Sequence, residues 1–208
     1  MTEAEPTVFI VDDDESFRKS LSRLLTSAGH QVKTFSSAIE FLNHDPYDGP
    51  ACLLLDIRMP ELSGLELQKE LANSNRMLSI VFITGHGSIP LSVQAMKAGA
   101  VDFIEKPFEE QTLLDSVNLA IKKDKLAKQK LTELKEIQHL VESLTPQEHK
   151  VFIMVVAGML NKQIAFEIGI SERTVKAHRA RVMQKMQTES LADLVRVAEQ
   201  VQYFFPKD

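Results

Sequence analysis

The feature that most constrains the fold is a set of four short apolar runs, each of which ends in a reactive polar residue. They are VFIV (8–11) before Asp12 and Asp13, CLLL (52–55) before Asp56, IVFI (80–83) before Thr84, and DFIE (102–105) before Lys106. In a parallel sheet, the carboxyl ends of all strands open onto one edge, where open α/β folds bind ligands. The sequence therefore predicts that three carboxylates, a hydroxyl and an amine converge at that edge.

Helical patterns separate the apolar runs. Asp14 is placed to N-cap a helix over 15–28, which Gly29 ends. QVKTF (31–35) supplies a fifth strand, and further helices are predicted over SSAIEFLNH (36–44), ELQKELANS (66–74), 88–98 and a segment that starts near Glu109. Because strands alternate with helices, we expect an α/β fold with a five-stranded parallel sheet.

The chemistry of the converging residues points to a metal and to a nucleophile. Carboxylate oxygens suit a hard cation, so the three aspartates predict Mg²⁺ or another divalent cation. An aspartyl carboxylate can also carry a phosphoryl group. One alternative is a Mg²⁺-dependent phosphohydrolase in which Asp12 is the nucleophile of an Asp-x-Asp pair with Asp14, but the chain has no second acidic pair downstream. The nucleotide-binding pattern GxxxxGK(S/T) is absent from the sequence, which disfavours an ATPase.

Composition indicates a globular protein without a membrane segment. The chain has 44% apolar and 25% charged residues, and its longest apolar stretch, VFIMVVAGML (151–160), is too short to span a bilayer. The acidic start MTEAEPT lacks the order of a secretory signal. The single cysteine, Cys52, lies in an apolar run, which predicts a buried thiol and a cytoplasmic setting.

Charge is divided unevenly along the chain. Residues 1–125 contain 12 Lys and Arg against 19 Asp and Glu, whereas residues 126–208 contain 12 against 10. The segment 171–185 contains five basic residues and one acid. This asymmetry indicates a C-terminal part that faces nucleic acid.

The segment 146–204 has only helical patterns. Thr145 and Pro146 start one helix, NKQIAFEI (161–168) forms a short second one, and the turn 169–171 leads to a third from Glu172 to about Met186. SLADLVRVAEQ (190–200) completes a four-helix unit. Two helices joined by a tight turn with glycine, the second one basic, are typical of a helix-turn-helix.

A helical wheel divides the basic helix into two faces. Val175, Val182 and Met186 share the inward stripe, and small alanines on the outward face allow close approach to a DNA groove. Lys185 lies on a flank of that outward face. The candidate DNA contacts, in a helix-turn-helix of about 161–180, are Asn161, Lys162, Thr174, Lys176, Ala177, His178, Ala180 and Arg181.

Arg179 does not belong to the outward face. It lies about 40° from Val175 on the wheel, and an unpaired cation on the inward side is costly to bury. We therefore expect an acidic partner within the domain, with Glu148 as first candidate and Glu167 as second.

The segment 110–143 contains neither glycine nor proline and reads as a long connector helix. Five lysines between 122 and 130 predict that its first part is solvated. Leu131, Leu134, Ile137 or Gln138, and Val141 hold roughly heptad spacing, so a partner-dependent dimer seam is an alternative. We place a first domain at 1–121, a helical linker at 122–143 and a DNA-binding domain at 144–208.

Long motifs in both halves carry a resemblance to a known family. VFIVDDDESFR, LLLDIRMPELSGLEL, VFITGHG and AMKAGAVDFIEKPF resemble the receiver domain of two-component response regulators, whose fold is flavodoxin-like with strand order 2-1-3-4-5. SLTPQEHKVFIMVVAGMLNKQIAFEIGISERTVKAHRARVMQKM resembles a LuxR-type DNA-binding domain. The pairing is similar to the FixJ subgroup of the NarL/FixJ branch.

The resemblance implies a role for each residue at the sheet edge. Asp56 matches the phospho-accepting aspartate, and Thr84 and Lys106 match the hydroxyl and the amine that bind the phosphoryl group. Phe103 matches the switch aromatic, with a plain core residue as the alternative. The bond between Lys106 and Pro107 is cis in similar proteins. The Mg²⁺ ligands implied are Asp12, Asp13, Asp56 and the backbone carbonyl of Arg58.

The resemblance also implies partners. They are a sensor histidine kinase, promoter DNA, RNA polymerase and, after phosphorylation, a second copy of the chain that pairs through about 88–121. A ligand-sensing LuxR-type regulator is a further alternative, but it leaves Asp56 and Lys106 without purpose. Arg58 and His86 stand where smaller or acidic residues occur in relatives, which predicts slow hydrolysis of the acyl phosphate. Ala180 stands where related recognition helices often have a lysine, so the resemblance does not indicate an operator sequence.

Overall fold

The structure, a computed structural model, describes residues 5–74, 76–85 and 89–201. The chain forms two compact units that divide between Gln129 and Lys130. The sequence-based boundaries at 121 and 143 stay predictions. Within the described part of the chain, none of the helices combines the length and apolarity needed to cross a bilayer.

The first unit is built on a five-stranded parallel sheet. Its strands are β1 (Thr7–Val11), β2 (Gln31–Phe35), β3 (Ala51–Leu55), β4 (Ser79–Thr84) and β5 (Asp102–Glu105), in the order β2-β1-β3-β4-β5. All four pairings are parallel. The predicted fold class and strand order are confirmed.

Five helices alternate with these strands. They are α1 (Glu15–Ser27), α2 (Ala38–Leu42), α3 (Gly64–Asn73), α4 (Ile89–Lys97) and α5 (Glu110–Glu142). Asp14 caps α1 as predicted, since its side chain accepts the backbone N–H groups of Ser16 and Phe17. The predicted start of α4 at residue 88 lies outside the described residues.

Two apolar clusters fill the faces of the sheet. Because side chains alternate along a strand, Val8 and Ile10 of β1 belong to one cluster, with Leu21 and Leu25 of α1 and Leu113 of α5. The opposite cluster combines alternate residues of β1 and β3 with side chains of α2, α3 and α4: Phe9, Val11, Leu53, Leu55, Phe41, Leu67, Leu71 and Ala95. Cys52 is fully buried, as predicted, and burial raises the pKa of its thiol.

The turn between β3 and α3 requires glycine at its end. A Cβ on Gly64 would overlap the backbone carbonyl oxygen of Asp56. The N–H of Gly64 donates to the carbonyl of Ile57 at 3.0 Å, which holds the helix start against the end of the strand. Ser63 and Glu66 complete a capping box at the same point.

The second unit contains α6 (Pro146–Val156), α7 (Asn161–Ile168), α8 (Glu172–Lys185) and α9 (Leu191–Val201). Thr145 caps α6 with Pro146 as its first residue, and α7 has the predicted bounds. Gly169 ends α7 at φ +70°, a left-handed conformation that glycine adopts without steric cost. Val175, Val182 and Met186 lie in the core of this unit, so the predicted inward stripe is confirmed.

The prediction that the connector is solvated from 122 to 130 is wrong for two residues of α5. Asp124 is only 2% exposed, and its carboxylate accepts the N–H groups of Ala51 at 2.9 Å and Ser79 at 3.2 Å. Lys128 pairs with Asp124 at 2.9 Å and donates to the carbonyl of Gly49 at 2.6 Å. A count of lysines could not show that Asp124 is buried or that Lys128 pairs with it.

The C-terminal part of α5 also packs against other residues of the same chain. Val141 is buried in the core of the second unit, and Ile137 and Leu140 pack against that core. Two members of the heptad pattern therefore have intrachain contacts, which argues against a dimer seam that uses them. Leu131 remains 38% exposed.

Candidate functional site

The carboxyl ends of β1, β3 and β4 and the residue after β5 bring together the side chains predicted from the strand ends. The ammonium Nζ of Lys106 lies 2.9 Å from Oδ2 of Asp12 and 3.6 Å from Oδ1 of Asp56. Thr84, 1% exposed, ends β4, and its carbonyl accepts the N–H of Lys106 at 2.8 Å. The peptide bond between Lys106 and Pro107 is cis, as expected. We call this group of residues the acidic pocket.

Asp56 is the carboxylate at the centre of the acidic pocket. It is 8% exposed, and its Oδ2 accepts the backbone N–H of Arg58 at 2.7 Å. Burial raises the pKa of Asp56, while the ammonium of Lys106 acts in the opposite direction. The Oδ1 atom faces the ammonium of Lys106.

Asp12 is held more tightly than Asp56. It is 3% exposed, its Oδ1 accepts the N–H of Asp14 at 2.8 Å, and its Oδ2 accepts from Lys106. Asp13 is exposed beside it. The side chain of Arg58 is also exposed, and His86 lies outside the described residues.

The donor set of the acidic pocket fits a divalent cation in its chemistry. Two buried carboxylates face one ammonium, so a negative charge remains to be balanced, and all the side-chain donors are the oxygens that Mg²⁺ prefers. Among the described residues, no group of three or more Asp, Glu, His or Cys side chains lies close enough together to hold a metal ion. Asp13 is the carboxylate that would have to turn inward.

Two contacts of the acidic pocket were missed by sequence reasoning. The Lys106 ammonium lies 3.5 Å from the ring centroid of Phe17, a cation–π contact that fixes the amine from the α1 side. Arg18 donates from Nη1 to the backbone carbonyl of Asp12 at 2.6 Å. In the sequence Phe17 is an apolar residue at helical spacing from Leu21 and Leu24, and such periodicity carries no signal for a cation above the ring.

Phe103 is half-buried on β5. Its ring packs against the cluster that contains Phe9 and Phe82, with 6.5 Å between the ring centroids of Phe82 and Phe103. A switch aromatic and a core residue both remain compatible with this position, because the ring is partly covered on one side and partly accessible.

The basic helix α8 presents the predicted outward face. All but two of the candidate DNA contacts are exposed: Lys162, Thr174, Lys176, Ala177, Ala180 and Arg181. His178 is half-buried, and its Nδ1 has no hydrogen-bond partner among the described residues. The other half-buried candidate, Asn161, accepts a hydrogen bond from Arg179 at 2.7 Å.

The predicted pairing of Arg179 with Glu148 is wrong, and Glu167 does not replace it. Arg179 donates to the amide oxygen of Asn161, whereas Glu148 pairs with Lys185 at 2.7 Å. A wheel gives the angle of a side chain about the helix axis but not its height, and Lys185 lies about 9 Å further along α8. Lys185, which the wheel placed on a flank of the outward face, is held inside the unit.

Comparison with known proteins assigns a family to each unit. Residues 8–118 match the family described as "Response regulator receiver domain", and residues 142–198 match "Bacterial regulatory proteins, luxR family". The chain is 48% identical to Nodulation protein W of Bradyrhizobium diazoefficiens over 92% of this chain and 85% of that protein. It is 44% identical to the Transcriptional regulatory protein FixJ of Rhizobium meliloti, over 92% and 94% of the two chains.

A solved structure agrees with these relatives. The response regulator StyR, 48% identical, covers 95% of this chain and 100% of its own length with a TM-score of 0.86. The fold and the acidic pocket define a receiver joined to a helix-turn-helix unit. The chain belongs to the two-component response regulators with a LuxR-type DNA-binding domain, of the NarL/FixJ type. It is a DNA-binding regulator of transcription whose receiver domain is controlled by phosphorylation.

Proposed function

We propose that Asp56 accepts the phosphoryl group from a partner histidine kinase. The observation that carries the proposal is the position of its Oδ1, in a buried carboxylate 3.6 Å from the ammonium of Lys106. That ammonium offsets the negative charge of an incoming phosphoryl group. The ammonium of Lys106 lies 2.9 Å from Oδ2 of Asp12 but 3.6 Å from Oδ1 of Asp56, so Asp12 is the more tightly held carboxylate, which disfavours it as the nucleophile of the phosphohydrolase alternative. The chain acts as a regulator and not as an enzyme.

Asp12, Asp13 and Asp56, with the backbone carbonyl of Arg58, would hold Mg²⁺. The bound cation would supply charge neutralisation for the phosphoryl oxygens. The protein's own contribution is to keep Asp12 fixed by the Asp14 N–H, and Asp13, which is exposed, would turn inward to complete the ligand set.

Thr84 and Lys106 would bind the new phosphoryl oxygens, and Phe103 would turn further inward. The motion is supported by the partial burial of the Phe103 ring, since a fully packed ring would have nowhere to move. A local change of charge would in this way bias a second arrangement of β4, α4 and β5.

Phosphorylation would then favour a homodimer through about 88–121. In the described part of that segment, α4 exposes three large apolar side chains: Ile89 at 81%, Val93 at 45% and Met96 at 45%. Spacings of four and three residues put them on one side of the helix. Sedimentation with and without acetyl phosphate tests this proposal. We expect a dimer only after phosphorylation, and a chain that stays monomeric with acetyl phosphate would contradict it.

The second unit would read promoter DNA through the exposed face of α8 and the start of α7. Its direct contacts would come from Lys162, Thr174, Lys176, Ala177, His178, Ala180 and Arg181, with Asn161 at the helix start. RNA polymerase would be the partner at an activated promoter, and the protein would act in the cytoplasm.

Mass spectrometry after incubation with acetyl phosphate and Mg²⁺ tests the acceptor. We expect one phosphoryl adduct on Asp56, no adduct in the nearly isosteric Asp56→Asn, and slower labelling in Asp13→Asn, which keeps the acceptor. If Asp56→Asn still labels stoichiometrically and Asp12→Asn does not, the phosphohydrolase alternative is correct.

A further inference from the structure

Arg179 lies on the inward side of α8 and not on the face proposed to contact DNA. It is half-buried on the side of Val175 and Val182, both of which lie in the core of the unit. Lys176 and Arg181, in contrast, are exposed on the face proposed for DNA. The position separates Arg179 from Arg173, Lys176 and Arg181, which are the exposed cations of the helix.

The partner of Arg179 comes from the preceding helix. Its Nη1 donates to Oδ1 of Asn161 at 2.7 Å, and Asn161 is the first residue of α7 and is itself half-buried. The bond joins residues 18 positions apart, and it ties the start of α7 to the middle of α8. A hydrogen bond from a charged donor is stronger and more directional than one between neutral groups.

The bond adds a directional contact to the apolar packing of this helix pair. Ile164 of α7 and Val175 of α8 are both fully buried, and the crossing angle of packed helices varies by about 15–20° from one pair to another. The bond from Arg179 constrains that angle in addition to the apolar contacts. A second bond fixes the end of α8, where Lys185 pairs with Glu148 of α6.

We propose that Arg179 is a positioning residue for DNA binding, which acts through Asn161 and does not touch DNA. By holding α7 and α8 at one angle, it presents Lys162 and Lys176 to the same stretch of DNA. This proposal rests on the proposed DNA-facing surface of α7 and α8.

Salt dependence separates a positioning residue from a phosphate contact. Each cation that neutralises a phosphate adds about one to the slope of log affinity against log salt concentration. The probe is a duplex selected by the wild-type full-length chain from a random-sequence pool, and all variants are treated alike with acetyl phosphate and Mg²⁺. We expect Arg179→Ala to weaken binding roughly tenfold, the effect of losing one hydrogen bond to a charged group. The slope should not change, because Lys162 and Lys176 still neutralise phosphates and lose only their common orientation. Lys176→Ala, the matched control, should weaken binding and reduce the slope by about one.

A double-mutant cycle tests whether Arg179 acts through its partner. Asn161→Ala should cost less affinity in the Arg179→Ala background than in wild type, because the bond that the two residues share is already lost there. Arg179→Lys, which keeps a cation, should recover part of the affinity. If Arg179→Ala unfolds the second unit, Arg179→Gln takes its place in the cycle.

Two results would overturn the proposal. One is a slope reduced by about one in Arg179→Ala, which would make Arg179 a phosphate contact. The other is strict additivity in the cycle. If Lys176→Ala changes neither affinity nor slope while the cycle is non-additive, the positioning role stands and the assignment of Lys176 to the DNA surface fails.

Discussion

At the scale of single residues, Glu148 is the group on which three segments of the second unit depend. Its carboxylate accepts the N–H of Thr145, completing the cap of α6, and pairs with Lys185 of α8 at 2.7 Å. Lys185 also donates to the carbonyl of Ser143 at 2.9 Å. The hydrogen bond from Lys185, followed by that from Thr145, lowers the pKa of Glu148 to about 2.

This lowered pKa predicts an acid-sensitive second unit. A carboxyl group whose pKa is lower in the folded chain stabilises the fold above its unfolded pKa of 4.5, and that stabilisation is lost as pH falls toward 2. Because the side chain of Lys185 is 35% exposed, solvent screens part of the effect, and we expect a loss on the order of 2 kcal/mol.

Urea unfolding followed by NMR signals of α8 at a series of pH values measures the effect. Glu148→Gln should be less stable than wild type at pH 7 and should lose this part of the pH dependence below 4.5. Glu142→Gln, an exposed carboxylate nearby, serves as the control. An unchanged pH profile in Glu148→Gln would show that the pair contributes nothing.

The residue scale is also where sequence reasoning reached its limit. Asp12, Asp56, Thr84 and Lys106 could be grouped because parallel strands align their carboxyl ends, and the geometry brings Lys106 to both aspartates. Pairings across helices could not be found in the same way. The partner of Arg179 depends on where two helices cross, which no periodicity encodes.

At the scale of elements, the turn from β3 to α3 is the most constrained junction in the first unit. The helix begins directly against the backbone of Asp56, so the position of the candidate phosphoacceptor depends on the small size of Gly64. Strands and helices themselves were predictable, since apolar runs and caps such as Asp14 and Thr145 carry local signals. The bounds were less exact for α2, which spans Ala38–Leu42 where the pattern covered 36–44, and for α3, which begins at Gly64 where the pattern began at 66.

Gly64→Ala should destabilise the first unit. The added methyl group would overlap a backbone carbonyl that has no rotamer to change, and overpacking of this kind costs about 2 kcal/mol. The buried thiol of Cys52, the only cysteine in the sequence, provides a specific measurement, because it becomes reactive only when β3 opens. We expect labelling of Cys52 to accelerate roughly 30-fold, the factor that corresponds to 2 kcal/mol.

Gly85→Ala is the matched control for this substitution. Apart from its chain neighbours, a Cβ on Gly85 would meet none of the described residues within 4 Å, so its effect on Cys52 labelling should be small. Equal labelling rates for the two variants would show that contact with the Asp56 carbonyl is not what selects glycine at position 64.

At the scale of the whole molecule, α5 is a single helix whose two ends belong to different units. Near its middle, Asp124 and Lys128 bind the first residues of β3 and β4 and the loop before β3. Near its end, Ile137, Leu140 and Val141 pack into the second unit. Residues 129–136 lie between these contacts and are exposed except for Leu134, whereas the charge pattern placed the solvated part at 122–130.

Composition could not reveal this division. Asp124 stands alone among lysines, and a charge run normally lies on a solvated face. A buried carboxylate is costly without partners. Asp124 can be buried because two backbone N–H groups and one ammonium bind its carboxylate. The strands that these N–H groups begin are the same two that end at Asp56 and Thr84.

Asp124→Ala should therefore loosen the first unit from the edge opposite the acidic pocket. Removing the carboxylate leaves the N–H groups of Ala51 and Ser79 without their acceptor and removes the ion pair of Lys128, which keeps its hydrogen bond to Gly49. Breaking a buried pair in this way costs about 3 kcal/mol. Cys52, next to Ala51 in β3, should label more than 100-fold faster, and the amide hydrogens of Ala51 and Ser79 should exchange faster than those at the centres of their strands. Asp115→Ala, an exposed carboxylate on the same helix, should change neither rate. Unaltered exchange at Ala51 and Ser79 in Asp124→Ala would mean that the carboxylate does not hold the two strands, and that α5 is fixed by its apolar contacts alone.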